Sequence, residues 1–115
     1  MQYMLLINSN DAQWEALSDD ERQAAYAAYG QFADALRSSG AMVAGDQLAP
    51  ASTAKQVRAQ NGKTLVTDGP FAETKETLGG YFLIEAQSEQ EAIDWAAKCP
   101  GAQHGIVEVR GIVGM

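Results

Sequence analysis

Ten consecutive residues of this 115-residue chain, Thr67-Asp68-Gly69-Pro70-Phe71-Ala72-Glu73-Thr74-Lys75-Glu76, place a turn, an aromatic ring and four charged side chains side by side. Carboxylates and an amine held close together can move protons or fix a polar ligand. On that reading Asp68, Glu73 and Lys75 surround a pocket and Phe71 is its apolar wall. An architectural reading uses the same residues differently. Asp68 caps the turn, Phe71 plugs the core and the remaining charges stay in water. Composition by itself favours the second.

The other residues able to do chemistry are scattered. His104 is the only histidine, and its ring can exchange protons near neutral pH; a structural or incidental role is the plainer reading. Arg58 and Arg110 could each bind a carboxylate or phosphate bidentately, or serve as edge-strand charge that discourages aggregation. Asp46 follows Gly45 and is either a turn residue or a cleft acid. Cys99, the only cysteine, excludes an internal disulfide framework and reads as a small buried apolar residue. One histidine, one cysteine and dispersed carboxylates make no metal-ligand set. No phosphate-cradling glycine loop is present, no Ser-His-Asp or Cys-His arrangement can be defended, and no cofactor is required.

The elements that must position these residues are legible from local signals. Tyr3 to Asn8 is a dense apolar run of strand length, broken by Asn8-Ser9-Asn10-Asp11. Ser18-Asp19-Asp20-Glu21 is a capping box. The helix it opens carries Ala25, Tyr29, Phe32 and Leu36 on one face and should stop at Gly40. Ala41 to Leu48 resembles a second strand. Lys55 to Gln60 and Lys63 to Asp68 flank Asn61-Gly62, a strong hairpin signal because both turn positions need positive φ. Gly79-Gly80 opens the apolar strand Tyr81 to Ala86. Ser88-Glu89-Gln90-Glu91 is a second capping box before a helix to about Lys98, with Ala92, Trp95 and Ala96 on one face, and Ile106 to Arg110 is the last strand. The order strand, helix, strand, inserted hairpin, strand, helix, strand predicts one α+β domain over 1–115, a ferredoxin-like βαββαβ fold with an extra hairpin, its antiparallel sheet carrying two helices on one face.

Hydrophobic residues make up 46% of the chain and charged residues 20%, the balance of a globular protein. A net charge of −7 disfavours nucleic acid, whose affinity rests on phosphate contacts, and acidic membrane surfaces. The N-terminal run MQYMLLI is too short for a membrane span and lacks the flanks of a signal peptide, which predicts a cytoplasmic protein.

The two expected central strands are apolar on both faces: Tyr3, Leu5 and Ile7 against Met4 and Leu6, and Tyr81 and Leu83 against Phe82 and Ile84. Such strands expect cover on each side. Two helices cover one face, so a second copy of the chain is the expected cover for the other, giving a homodimer. The first and third main strands are expected to run parallel, with the fourth against them. That places the 67–76 segment and His104 at opposite ends of the sheet. Asp68 and His104 are then not a dyad within one chain, and could meet only across the dimer or through a bend in the inserted hairpin.

TDGPFAETKE, then LGGYFLIE and later HGIVEVR, resembles the DGPF group of the YCII-related family across the whole chain. The resemblance implies a dimeric α/β barrel of ferredoxin-like domains and a cleft beside the sheet. The family includes a dehydrochlorinase of chlorinated hydroxyquinols, and many DGPF proteins are encoded beside extracytoplasmic-function sigma factors. Better-known members carry a histidine on the first helix, thought to pair with an aspartate. Here that helix has Tyr26 and Tyr29 instead, so the histidine–aspartate chemistry does not transfer. Tyr29 falls near the missing histidine's place and could hydrogen-bond a ligand or belong to the core.

Three functions follow as expectations. One is a small-molecule binder or enzyme, with Asp68 and His104 as candidate catalytic groups and Tyr29, Asp46, Arg58, Phe71, Glu73 and Lys75 as candidate ligand contacts. A second is a regulatory protein that contacts a sigma factor. The third, a cofactor-free oxygenase, rests on fold analogy alone.

Overall fold

A computed structural model describes residues 1–69 and 76–114. The first strand, β1 (Gln2–Ser9), ends at a one-turn helix α1 (Asp11–Glu15), where the Asn10 side chain accepts from the Gln13 N–H at 3.2 Å. Sequence periodicity misses α1 because five residues are too few to show a helical repeat. The long helix α2 (Asp19–Ser39) starts as expected. Ser18 Oγ accepts from the Glu21 N–H at 3.2 Å and Glu21 Oε1 accepts from the Ser18 N–H at 3.0 Å, so the capping box is complete. Gly40 closes the helix in the left-handed conformation.

Strand β2 (Met42–Gln47) and a 3₁₀ turn (Ala51–Thr53) lead to the hairpin β3 (Lys55–Gln60) and β4 (Lys63–Asp68). Asn61 and Gly62 sit at φ 51° and 75°, the two positive angles that a type I′ turn demands. Strand β5 (Thr77–Glu85) extends four residues earlier than its apolar core suggests. Helix α3 (Glu89–Lys98) carries half of the expected capping box. Ser88 Oγ accepts from the Glu91 N–H at 3.1 Å, but the Glu91 carboxylate accepts from the Gln87 N–H and not from Ser88. A second short helix, α4 (Gly101–His104), precedes β6 (Ile106–Gly111).

The four-stranded sheet has the order β2-β5-β1-β6 and is antiparallel throughout, while β3 and β4 pair only with each other. Strands β1 and β5 are central, as their apolar character requires. Their alternation separates two faces. Tyr3, Leu5, Ile7, Phe82 and Ile84 are buried against Phe32, Ala33 and Leu36 of α2 and Ala92 and Ala96 of α3. Cys99 is buried in the same core, as the sequence implies. The ring of Phe32 meets those of Phe82 and Trp95 edge-on at 5.1 and 6.2 Å, geometry that aromatic quadrupoles favour.

On the opposite face the ladder pairs Asp46 with Tyr81, Tyr81 with Leu6 and Leu6 with Glu108. The next row is Ala44, Leu83, Met4 and Arg110. Apolar side chains thus fill the middle of this face and charges stand at its margins. None of the described helices lies over it. The molecule is a plate of 47 × 43 × 19 Å. Its accessible surface of 7939 Å² exceeds the about 6,100 Å² that surface scaling gives for a compact monomer of this mass. The β3–β4 hairpin contributes to the excess, since all twelve of its strand residues are exposed.

Candidate functional site

Strand direction decides which residues can share a site, and it overturns one expectation. Strands β5 and β6 both run against β1 and therefore parallel to each other. Thr77 at the start of β5 lies opposite Ser9, and Ile106 at the start of β6 lies opposite Asn8. The chain entering β5 and His104 before β6 thus meet the same end of the sheet, not opposite ends. The physical reason is that each helical crossover returns the chain along its original direction, so in an antiparallel sheet the first and third main strands must oppose each other.

That end is polar. Asn8 and Ser9 leave β1 there, Gln47 ends β2, Thr77 opens β5, and His104 stands exposed beside Gly105. Gly105 lies so close to the Asn8 carbonyl that any side chain would force β1 and β6 apart. Thr77 Oγ1 is buried and has no hydrogen-bond partner among the described residues, a cost that native proteins rarely leave standing without a use. The hairpin is rooted here too. Asp11 Oδ2 accepts from the Ala51 N–H at 3.0 Å, the Leu48 N–H donates to Gly79 O at 2.8 Å, and the Gly69 N–H donates to Ala54 O at 2.7 Å. Tyr26 Oη donates to Gln47 Oε1 at 3.1 Å and its ring packs edge-on against Trp14 at 5.3 Å.

The sequence candidates distribute unevenly over this frame. Asp68 ends β4 and its Oδ1 accepts from Lys55 Nζ at 2.7 Å, with both side chains more than half exposed; a pair so placed adds at most about 1 kcal/mol. No hydrogen bond or ion pair joins Asp68 to His104. Phe71, Glu73 and Lys75 fall outside the described residues. Arg58 is exposed on the hairpin opposite Leu65, and Asp46 is exposed on the margin of the open face opposite Tyr81. Among the described residues no group of His, Cys, Asp and Glu converges as a metal-ligand set, and no helix is long and apolar enough to cross a membrane.

Tyr29 belongs to the core side. Its ring stacks on Phe82 at 6.5 Å and its hydroxyl fills the space beside Gly101 that a side chain there would need. Burial pushes the phenol up from 10 to about 12 and the nearby Cys99 adds to the rise, against a hydrogen bond from the Gly101 backbone. The Cys99 thiol is likewise pushed up by burial. A phenol that binds its proton more tightly when folded contributes stability that is complete below pH 10 and is lost between about pH 10 and 12. Thermal melts should therefore show the wild type losing stability over that window more steeply than Tyr29→Phe. Equal slopes would remove Tyr29 from the buried seam.

Ser9, Gln47 and Thr77 carry one sequence signal: strands begin or end there in hydroxyl and amide residues, which becomes informative only once strand pairing is known. Tyr26, inside α2, carries none.

The model of the YCII-related domain matches residues 1–115. The chain belongs to the YCII-related family. Its α+β fold, with a four-stranded antiparallel sheet under helices, agrees with the ferredoxin-like architecture that the resemblance implied. This YCII-related domain is also similar to an uncharacterized protein of Rhizobium meliloti (strain 1021). The two are 46% identical over 66 residues, which cover 56% of this chain and 53% of the relative. The match thus spans about half of that protein's own length.

Proposed function

We propose that this YCII-related domain, read as a DGPF member, binds a small polar organic molecule at the polar end of its sheet and does so as a homodimer. The observation that carries the reading is the convergence of Ser9, Thr77, His104 and the hairpin root on one end of the sheet. In sequence, residues 70–75 lie between Gly69 at that root and Glu76, outside the described residues. Phe71, Glu73 and Lys75 are then wall and polar contacts, His104 and Asp68 are proton carriers, and Thr77 Oγ1 gains its missing partner from the ligand. An organic acid or a phenol suits a site of hydroxyls, one imidazole and one amine.

Two open hollows among the described residues, of about 640 and 570 Å³, lie at Met1, Glu85 and Ile112 and on the hairpin. A partner packed on Leu6, Tyr81 and Leu83 turns the mouth of the sheet into an enclosed cleft.

Amide NMR titration with a panel of small organic acids and phenols tests the site. The expected result is saturable shifts at Ser9, Thr77 and Gly105, weakened about tenfold or more by Thr77→Val, as loss of a buried polar contact predicts, and weakened also by the pair Asp68→Ala, Lys75→Ala. Saturable shifts confined to Met1, Glu85 and Ile112 would overturn the site.

A further inference from the structure

We infer that one face of the β3–β4 hairpin recognises an acidic, extended peptide segment of a partner protein, which pairs with the free edge of β3 and sets acids two residues apart over Arg58 and Lys63. The ladder sorts the hairpin residues between two faces. Val57 and Val66 share one face with Lys55 and Asp68. Its charge is answered from within, since Lys55 Nζ meets Asp68 Oδ1 at 2.7 Å. Gln56, Arg58, Gln60, Lys63, Leu65 and Thr67 share the other face, which holds two cations and no acid. Neither Arg58 nor Lys63 has an ion pair among the described residues. In a protein of net charge −7, such a patch selects an anionic partner.

Shape and edge agree with charge. A hollow of about 570 Å³ opens on this face, and four of its six lining residues, Gln56, Val57, Arg58 and Gln60, belong to β3. Two-stranded ribbons twist strongly, which makes a face concave. β3 and β4 pair only with each other, so β3 keeps a row of backbone N–H and C=O groups free along its outer side.

Spacing says which anion fits. Arg58 stands in the row that pairs with Leu65, and Lys63 in the next row, opposite Gln60. The rows are one two-residue step apart, about 6.8 Å. A peptide added as a third strand repeats its side chains at the same period, so acids at alternate positions meet Arg58 and then Lys63. Lys63 lies one strand farther in, about 4.8 Å, a distance that two long side chains span. Gln56 and Gln60 offer amide donors to the same carboxylates, and Leu65, 46% exposed, is an apolar floor beside them. A small dianion has no strand to add, and exposed ion pairs alone hold it weakly. A nucleic acid finds too few cations for its phosphates.

Fluorescence anisotropy with the full chain and a labelled eight-residue peptide alternating Glu with Thr tests the inference. Saturable binding is expected, weakened about tenfold or more by Arg58→Glu with Lys63→Glu, and weakened also by the milder Arg58→Gln with Lys63→Gln. Circular dichroism should stay unchanged in both variants, because the hairpin lies outside the core. The same peptide methylated on its backbone nitrogens should not bind, and glutarate should not compete. No saturable binding of the alternating peptide overturns the inference, as does binding that both variants retain in full. Equal binding of the methylated peptide overturns the strand pairing, and equal binding of glutarate or of a single-stranded oligonucleotide overturns the peptide as ligand. Dimer dissociation in both charge variants, with no peptide bound by the wild type, overturns the foreign partner and assigns the face to a second copy of the chain.

Discussion

On the proposed two-copy assembly, Leu6→Asp should convert dimer to monomer while leaving the fold of each chain intact. Leu6 lies at the centre of the open face, between Tyr81 on β5 and Glu108 on β6. In the single chain it is only partly buried, so a carboxylate there still reaches water and costs the monomer little. Between two sheets the same carboxylate is stranded without a partner. Leaving an unpaired charge in such a place costs about 3 kcal/mol or more, which corresponds to at least about a hundredfold weaker dimerisation. Light scattering across a dilution series reads this directly, with circular dichroism as the check on folding. A Leu6→Asp chain that dimerises as tightly as the wild type would show that this face is not the interface.

Leu36→Ala should act on the other side of the sheet and in the opposite manner. Leu36 is fully buried between α2 and the sheet. Truncation removes its transfer free energy and leaves a cavity that rigid neighbours fill incompletely, a combined cost of about 3 kcal/mol. For a domain of this size that lowers the melting temperature by roughly 12 °C. Val57→Ala on the exposed hairpin should change chain stability by less than about 0.5 kcal/mol. Chemical denaturation of both variants, extrapolated to infinite dilution, checks the contrast. A Leu36→Ala loss no larger than that of Val57→Ala would contradict the layered core.

The parts of the fold legible in the sequence are those encoded within a few residues. Ser18 with Glu21 marks the start of α2, and Asn61-Gly62 marks the hairpin turn, because the chemistry that satisfies a helix end or a positive φ is local. The one-turn helices at Asp11–Glu15 and Gly101–His104 escape notice because neither is long enough for a period. Strand direction is set at another level, by topology: each helical crossover restores the direction of the chain, so central β1 and β5 oppose each other and Ser9 pairs with Thr77, which no local pattern displays.

The candidate site divides in the same way. His104, Asp68 and Arg58 stand out by residue type. Thr77 and Ser9 do not, since a hydroxyl becomes informative only when its surroundings leave it buried and unpaired. Tyr29 was legible as part of a helical stripe, and stacking on Phe82 gives it a core role. Asp46 and Arg110 read as isolated charges in the sequence. The ladder places them along opposite edges of one apolar face.

Every part of the proposed assembly depends on apolar middle strands that the described helices cover from one side alone. Sedimentation equilibrium of the unmodified chain at micromolar concentration tests this most directly. The account predicts a single species of twice the 12.3 kDa chain mass. A species of one chain mass, persisting as concentration rises, would contradict it.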